Sequence, residues 1–176
     1  DIDAIHPDFP MQSDGLCYRD PRNPRLGWRI YAKSAEALKE VGTYSDYDQH
    51  RITLGVPDGD RDMIRGQSTL FDNGFDRVGA IAWEKGCYMG QEITARMKYR
   101  GLGKWDLLPL KATDSMPEAG EKIMQDDKLV GHITSVGGQF AMARIRLEAL
   151  LTHPTGMRLS SGTFEWLKLD YMRKTE

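Results

Sequence analysis

The sequence is poor in cysteine, in long apolar runs and in net charge, and each shortage excludes a class of protein. Its two cysteines, Cys17 and Cys87, lie far apart without a C-x-x-C pair, so we expect a reducing compartment rather than a disulfide framework. Two thiols cannot by themselves supply the four that usually hold an iron–sulfur cluster. Apolar runs such as 107–110 are far shorter than the ~20 residues of a transmembrane helix. A net charge of −2 gives no overall attraction to nucleic acid or to an anionic membrane.

Several familiar motifs are also missing. There is no G-x-G-x-x-G, no P-loop and no G-x-S-x-G, so nucleotide-binding and serine-hydrolase interpretations have no support. The four histidines have no mutual spacing that suggests a metal site, and we expect none; they are His6, His50, His132 and His153. The chain begins without a methionine, so we expect it to be processed or to be a fragment. What the chain does contain is 18 glycines among 176 residues, which is typical of a turn-rich fold with a β component.

The first two parts of the chain are predicted to be a lead-in and an α+β lobe. Residues 1–25, rich in Asp, Pro and Arg, indicate an extended lead-in, and residues 26–103 indicate the lobe. The elements predicted in the lobe are a strand at 26–31, helices at 35–41 (capped by Ser34) and 44–54, and a helix from Gln91 that ends at Gly101 and Gly103. Residues 60–83 read as irregular, with the expected apolar anchors Met63, Ile64, Leu70, Phe71 and Phe75.

Residues 104–176 have a different texture, in which short alternating segments are separated by glycine turns. This pattern predicts a small closed β-barrel. The predicted strands are 105–111, 122–124, 128–136, 140–145 and 163–169, with a short helix at 147–151.

The stretch most indicative of function is Lys85-Gly86-Cys87-Tyr88-Met89-Gly90-Gln91-Glu92. A lysine and the positive end of a helix both favour the thiolate form of Cys87, and the flanking glycines allow access to it. An isolated cysteine is, however, more often a small buried hydrophobe. Local chemistry therefore leaves two readings of Cys87 open, a reactive or ligating thiol and an inert core residue.

Charged residues around this stretch also allow two readings. Five basic and two acidic residues between Glu84 and Lys104 make a local excess of positive charge. A solvated helix face explains Lys98 and Arg100, whereas Arg96, with its planar fork, is the best candidate for binding a carboxylate or phosphate. Glu92 reads as a first-turn carboxylate that complements the helix dipole. For Gln91 the first-turn role and a hydrogen bond to a heterocycle both stay open.

The stretch resembles the K-G-C-Y-x-G-Q-E signature of the YgfZ-type folate-binding proteins, relatives of the aminomethyltransferase (GcvT) of the glycine cleavage system. All seven defined positions match, namely Lys85, Gly86, Cys87, Tyr88, Gly90, Gln91 and Glu92. Two further segments resemble the family. One is the continuation through Arg96 to residue 102, and the other is the segment 51–57, which begins with Arg51. The resemblance covers roughly residue 25 to the end, which corresponds to the later portion of a longer family fold whose first segment supplies much of the folate channel.

The resemblance implies an α+β fold, with a GcvT-like folate-binding lobe followed by a small C-terminal β-barrel. It implies tetrahydrofolate or a derivative as the ligand, iron–sulfur client or assembly proteins as partners, and Cys87 as the residue on which the role depends. The implied function is support of iron–sulfur cluster assembly or repair, and indirectly of tRNA-modifying enzymes. No direct nucleic-acid or membrane partner is expected. The implied location is the cytoplasm for a bacterial-type protein or the mitochondrial matrix for a eukaryotic one.

Two other functions remain as alternatives. One is tetrahydrofolate-dependent one-carbon transfer of the aminomethyltransferase class. The family glutamate that faces the pterin in that class corresponds here to Thr53, which argues for the accessory role instead. The other is RNA binding by the basic stretch 98–104, which would show strongly salt-dependent affinity.

Overall fold

A computed structural model describes residues 16–31, 33, 42–152 and 156–169. The mixed α/β fold expected from the sequence is confirmed, with few helices and a nearly closed C-terminal barrel. The helix predicted at 35–41 and its cap Ser34 lie outside the described residues. None of the helices in the described ranges is long and apolar enough to cross a membrane.

An antiparallel pair of strands begins the described chain. Strand β1 (Leu16–Arg19) pairs with β2 (Trp28–Tyr31), and Cys17 is opposite Ile30. The strand predicted at 26–31 therefore starts two residues later, because Pro24–Leu26 forms a 3₁₀ turn capped by the Asn23 side chain. Proline at the first position of that turn suits it, since its missing N–H is not needed there.

Helix α1 (Tyr44–Thr53) agrees with the helix predicted at 44–54. It begins at a reciprocal cap: the Thr43 hydroxyl accepts the N–H of Asp46, and the Asp46 carboxylate accepts the N–H of Thr43. Such a box satisfies two backbone donors that the first turn would otherwise leave free. The helix buries Ile52 completely, which fixes the face it turns toward the barrel.

The segment after α1 is irregular, as predicted, apart from a 3₁₀ turn at Phe71–Asn73. Phe71 is buried and Phe75 packs in a small apolar cluster, so these two anchors are confirmed. Ile64 and Leu70 are exposed, and their prediction as anchors was wrong. In an irregular segment no periodicity ties a residue to the inner face, so hydrophobicity alone could not distinguish the two pairs.

Helix α2 (Gln91–Tyr99) begins at the residue that the sequence predicted and ends before the two glycines. Arg96 bonds to Glu92 one turn earlier, at the i, i+4 spacing that brings two side chains together on a helix. Met97 is buried, whereas Ile93, one turn earlier, is exposed.

The C-terminal part is a six-stranded antiparallel sheet in the order β7-β4-β5-β6-β3-β8. Its strands are β3 (Trp105–Ala112), β4 (Lys122–Gln125), β5 (Lys128–Gly137), β6 (Phe140–Arg146), β7 (Arg158–Leu159) and β8 (Phe164–Trp166). Helix α3 (Leu147–Thr152) follows β6 directly. Four of the predicted strands are confirmed within one or two residues; the fifth shortens to β8, and the two-residue β7 was missed because it is too short to show alternation.

The sheet curls into a barrel because its two edge strands follow each other in the chain. Only residues 160–163 separate β7 from β8, so the opposite edges must come together. The interior holds alternating residues of the strands, including Leu108, Leu110, Ile133 and Ile145, all nearly fully buried. Because the barrel is nearly closed, little of the sheet edge is exposed, and this disfavours edge-to-edge association.

Helix α1 packs closely on the outside of the barrel. Ile52 of α1 contacts Leu107 and Met142, which point outward from β3 and β6. A Cβ added at Gly137 would lie 2.8 Å from the backbone of Gln49, so only glycine permits this approach. The helix and the outer face of the barrel therefore share a small apolar cluster, separate from the barrel interior.

Candidate functional site

Cys87 lies on an exposed loop that precedes α2. The thiol is free and exposed, whereas Cys17 is buried in the β1–β2 pair. The buried-hydrophobe reading of Cys87 is therefore wrong. The loop displays this thiol to solvent.

The loop reaches the helix through a left-handed glycine. Gly90 adopts φ 84° and caps α2 without a side-chain hydrogen bond. A residue with a Cβ is strained in this conformation, which is the physical reason for glycine at this position of the signature. Gly86 has an ordinary φ, and a Cβ there would meet nothing within 4 Å, so its presence is not explained by local sterics.

Lys85 and Tyr88 contact each other within the loop. The Lys85 ammonium lies 4.7 Å from the centroid of the Tyr88 ring, and the backbone N–H of Gln91 donates to the Tyr88 carbonyl. The Lys85–Tyr88 contact joins the residues on either side of Cys87, and the hydrogen bond closes the turn that leads into α2. The two signature residues thus have a local geometric role, independent of any ligand.

A cluster of aromatic rings and a lysine joins α2 to the preceding segment of the chain, and no sequence pattern predicted it. Trp83 makes edge-to-face contacts with Phe71 at 6.3 Å and with Tyr99 at 6.2 Å between centroids. The Lys98 ammonium lies 3.9 Å from the centre of the Trp83 ring. Lys98, expected only as part of a solvated face, is therefore stacked on an aromatic ring. Its spacing from Trp83 is not helical, so no local pattern reveals this contact.

The outer side of α2 carries a shallow depression of about 300 Å³. It is lined by Glu92, Ala95, Arg96, Tyr99 and Arg100. Arginine side chains pair with carboxylates, and an exposed aromatic ring such as that of Tyr99 can lie against a flat group. The depression is open, so it would cover only part of a ligand's surface.

Arg51 is placed elsewhere, at the interface between α1 and the barrel. It is fully buried, and it donates to Asp48 at 2.8 Å, to Asp62 at 3.0 Å and to Ser135 at 2.9 Å. A further bond reaches the carbonyl of Val56. All of these partners lie outside the 85–92 stretch, so the geometry gives Arg51 a structural task.

The same network accounts for the charge state of Asp48. Burial raises the pKa of this carboxyl, but hydrogen bonds from Arg61 and Arg51 outweigh burial and hold the pKa below its usual range. Among the described residues, each charged group of this network therefore has an oppositely charged partner.

Within the described ranges, no group of three or more histidine, cysteine, aspartate or glutamate side chains could hold a metal ion.

Thr53 donates its hydroxyl to the His50 carbonyl at 2.7 Å, within its own helix. The position that corresponds to the family glutamate therefore holds a hydroxyl engaged with its own backbone.

Comparisons with known proteins agree with this architecture. Residues 107–169 match the family model described as the CAF17 C-terminal beta-barrel domain. The chain is 37% identical over 156 residues to a human protein named iron-sulfur cluster assembly factor IBA57, mitochondrial, covering 84% of this chain and 44% of the relative. The mouse protein of the same name is 28% identical over 150 residues, covering 80% of this chain and 42% of the relative.

A fungal homologue of that name, from Mycosarcoma maydis, is 36% identical over 96 residues, which cover 52% of this chain and 24% of the relative. The chain thus spans less than half the length of these curated relatives. The names of these relatives place them in mitochondria. Residues 107–169 therefore correspond to a CAF17-type C-terminal barrel, and over more than four fifths of its length the chain is similar to the IBA57 iron–sulfur cluster assembly factors.

Proposed function

We propose that this chain acts in iron–sulfur cluster assembly as a folate-binding accessory protein, with Cys87 as its functional thiol. The observation that carries the proposal is the exposed, free Cys87 in a stretch that matches the family signature at all seven defined positions. The similarity to proteins named iron–sulfur cluster assembly factors supports the same role.

The chemistry that we assign to Cys87 is transient ligation of an iron atom in a cluster held by a client protein. Thiolates are the usual protein ligands of such clusters. A single exposed thiol on a loop can approach a cluster on another protein, and the described residues hold no group of metal-ligating side chains that would retain the cluster. The cluster is in this view cargo, and an effect on tRNA modification follows indirectly through cluster-dependent enzymes.

The folate part of the proposal concerns the α2 surface. Arg96 and Arg100 would bind the glutamate carboxylates, and Tyr99 would lie against a flat part of tetrahydrofolate or a derivative. Thr53 supports an accessory role over aminomethyl transfer, because its hydroxyl is engaged within α1 and no carboxylate stands at that position.

The test is complementation of cells that lack their own IBA57-type factor, with the activity of iron–sulfur enzymes as the measurement. Cys87→Ala should fold normally and lose the support that the unaltered chain gives, whereas Cys17→Ala, the matched cysteine control, should keep it. Full support by Cys87→Ala would refute the role of the thiol.

Folate binding is measured separately, by titrating the chain with tetrahydrofolate and following tryptophan fluorescence. Arg96→Gln should weaken binding, and Cys87→Ala should leave it unchanged. Binding that does not respond to Arg96→Gln would overturn the assignment of the α2 surface and would leave the thiol assignment standing.

A further inference from the structure

Two arginines converge on one tryptophan on the outer face of the barrel. The guanidinium carbon of Arg144 lies 4.3 Å from the centroid of the Trp105 ring, and that of Arg146 lies 4.7 Å from it. The register explains the convergence, because Trp105 is directly opposite Arg146 and Arg144 is two residues away on the same side of β6. The site is built from strands, so its groups are held rigidly.

Arg144 is buried with one of its donors unused. Only 7% of the residue is exposed, and within the described residues its buried Nε atom has no hydrogen-bond partner. A guanidinium has five donors, and burying a charged donor without an acceptor is costly. The stacking on Trp105 offsets part of this cost but supplies no acceptor atom.

The surrounding charges do not balance this cation. Asp72 is the nearby carboxylate, and its Oδ1 already accepts the backbone N–H groups of Lys104 at 3.1 Å and Trp105 at 3.4 Å. Burial lowers the pKa of Arg144; the charge of Asp72 opposes this lowering, and the charge of Arg146 adds to it. Within the described residues, the favourable charge of Asp72 on Arg144 is thus opposed by the like charge of Arg146.

His132 lies opposite Arg144 on the neighbouring strand β5. Burial, with a smaller contribution from the charge of Arg144, lowers the pKa of His132. The lowered pKa favours the neutral imidazole, and in neither form does His132 carry the negative charge that would balance Arg144. Residues of three strands, β3, β5 and β6, thus lie side by side here.

We propose that Arg144, Arg146 and Trp105 form a binding site for an oxyanion, that is, for a carboxylate or phosphate group of a ligand. A guanidinium presents a planar fork that pairs with two oxygens of either group. Trp105 contacts both guanidinium groups, buried Arg144 supplies an unused Nε donor, and exposed Arg146 forms the entrance. The site is separate from the thiol loop and goes beyond the role proposed for Cys87.

The test measures the binding of inorganic phosphate and of acetate to the full chain by calorimetry and by thermal unfolding. Chloride at equal ionic strength is the reference. Phosphate or acetate should raise the Tm of the unaltered chain above the chloride value, because a ligand that binds only the folded state stabilises it. Tighter binding of phosphate would indicate a phosphorylated ligand, and tighter binding of acetate would indicate a carboxylate ligand.

Arg144→Met keeps an apolar stem over Trp105 and removes the donors. It should weaken anion binding about tenfold or more, since one hydrogen bond to a charged group is worth at least that factor. Arg146→Met should also weaken binding. Because Arg146 is exposed, this variant should fold even if Arg144→Met does not. Arg158→Met is the matched control. Arg158 lies on β7 and pairs with Asp127 at the exposed surface, so its replacement should leave anion binding unchanged.

Two outcomes would overturn the proposal. One is an unaltered chain that responds to phosphate and acetate no more than to chloride. The other is anion binding that survives both Arg144→Met and Arg146→Met.

Discussion

Arg51 donates a 2.9 Å hydrogen bond from its Nη2 to the hydroxyl of Ser135, a residue 84 positions further along the chain. This bond joins helix α1 to barrel strand β5. The same guanidinium bonds to Asp48 and Asp62, so one buried side chain ties three separate segments together. The relative placement of the helix and the barrel depends on this contact.

Replacing Arg51 by methionine should strongly destabilise the fold. The change leaves Asp62, and part of Asp48, buried without a counter-charge, and breaking a buried ion pair in this way costs about 3–5 kcal/mol. The measurement is the free energy of unfolding in urea. Arg96→Gln, which breaks only the exposed Arg96–Glu92 pair, should cost less than about 1 kcal/mol. Similar losses in the two variants would contradict the structural role of Arg51.

Alanine at Gly137 should also destabilise the contact between α1 and the barrel. The added methyl would lie 2.8 Å from backbone atoms of Gln49, which cannot move without shifting the helix. Overpacking of this kind costs about 1–3 kcal/mol. Gly86→Ala is the matched control, because a Cβ there meets nothing within 4 Å and should change the free energy of unfolding by less than about 0.5 kcal/mol. Equal stability of both variants would show that the helix does not pack this closely.

The two thiols should differ sharply in their reaction with a thiol reagent. Exposed Cys87 should react in the native chain, and Cys17, only 3% exposed, should react only after unfolding. Titration with a chromogenic disulfide should therefore count one thiol in buffer and two in denaturant. Cys87→Ser should show none in buffer and Cys17→Ser should show one; the reverse pattern would disprove the placement of the loop.

Acidification should destabilise the chain through His132. Its pKa is lowered in the folded state, so the unfolded chain binds a proton at higher pH than the folded chain does. Stability is therefore full above the ordinary histidine pKa of about 6.5 and falls as the pH drops from there toward the lowered folded value. Unfolding free energies of the unaltered chain and of His132→Gln, measured between about pH 7.5 and 5.5, check this. The free energy of unfolding of His132→Gln should fall less over this pH range than that of the unaltered chain. An identical pH profile would contradict the prediction.

Regular patterns explain why most of the fold could be predicted. Alternation and glycine turns were sufficient for the barrel strands β3 to β6, because each strand has one face inside the barrel. Helical spacing and a following glycine were sufficient for α1, and the Glu92–Arg96 spacing for α2. Ile64 and Leu70 were mispredicted because no periodicity operates in their segment.

In the candidate site, too, local features could be predicted and contacts between distant residues could not. The sequence alone determined the signature stretch, its position before a helix, and Cys87 as the residue of interest, because these depend on neighbours within a few positions. Only the tertiary structure decided that Cys87 is exposed, that Arg51 is buried in an ion network, and that Arg144 and Arg146 meet at Trp105. These contacts join residues far apart in the chain, and burial and pairing arise from packing that no local pattern encodes.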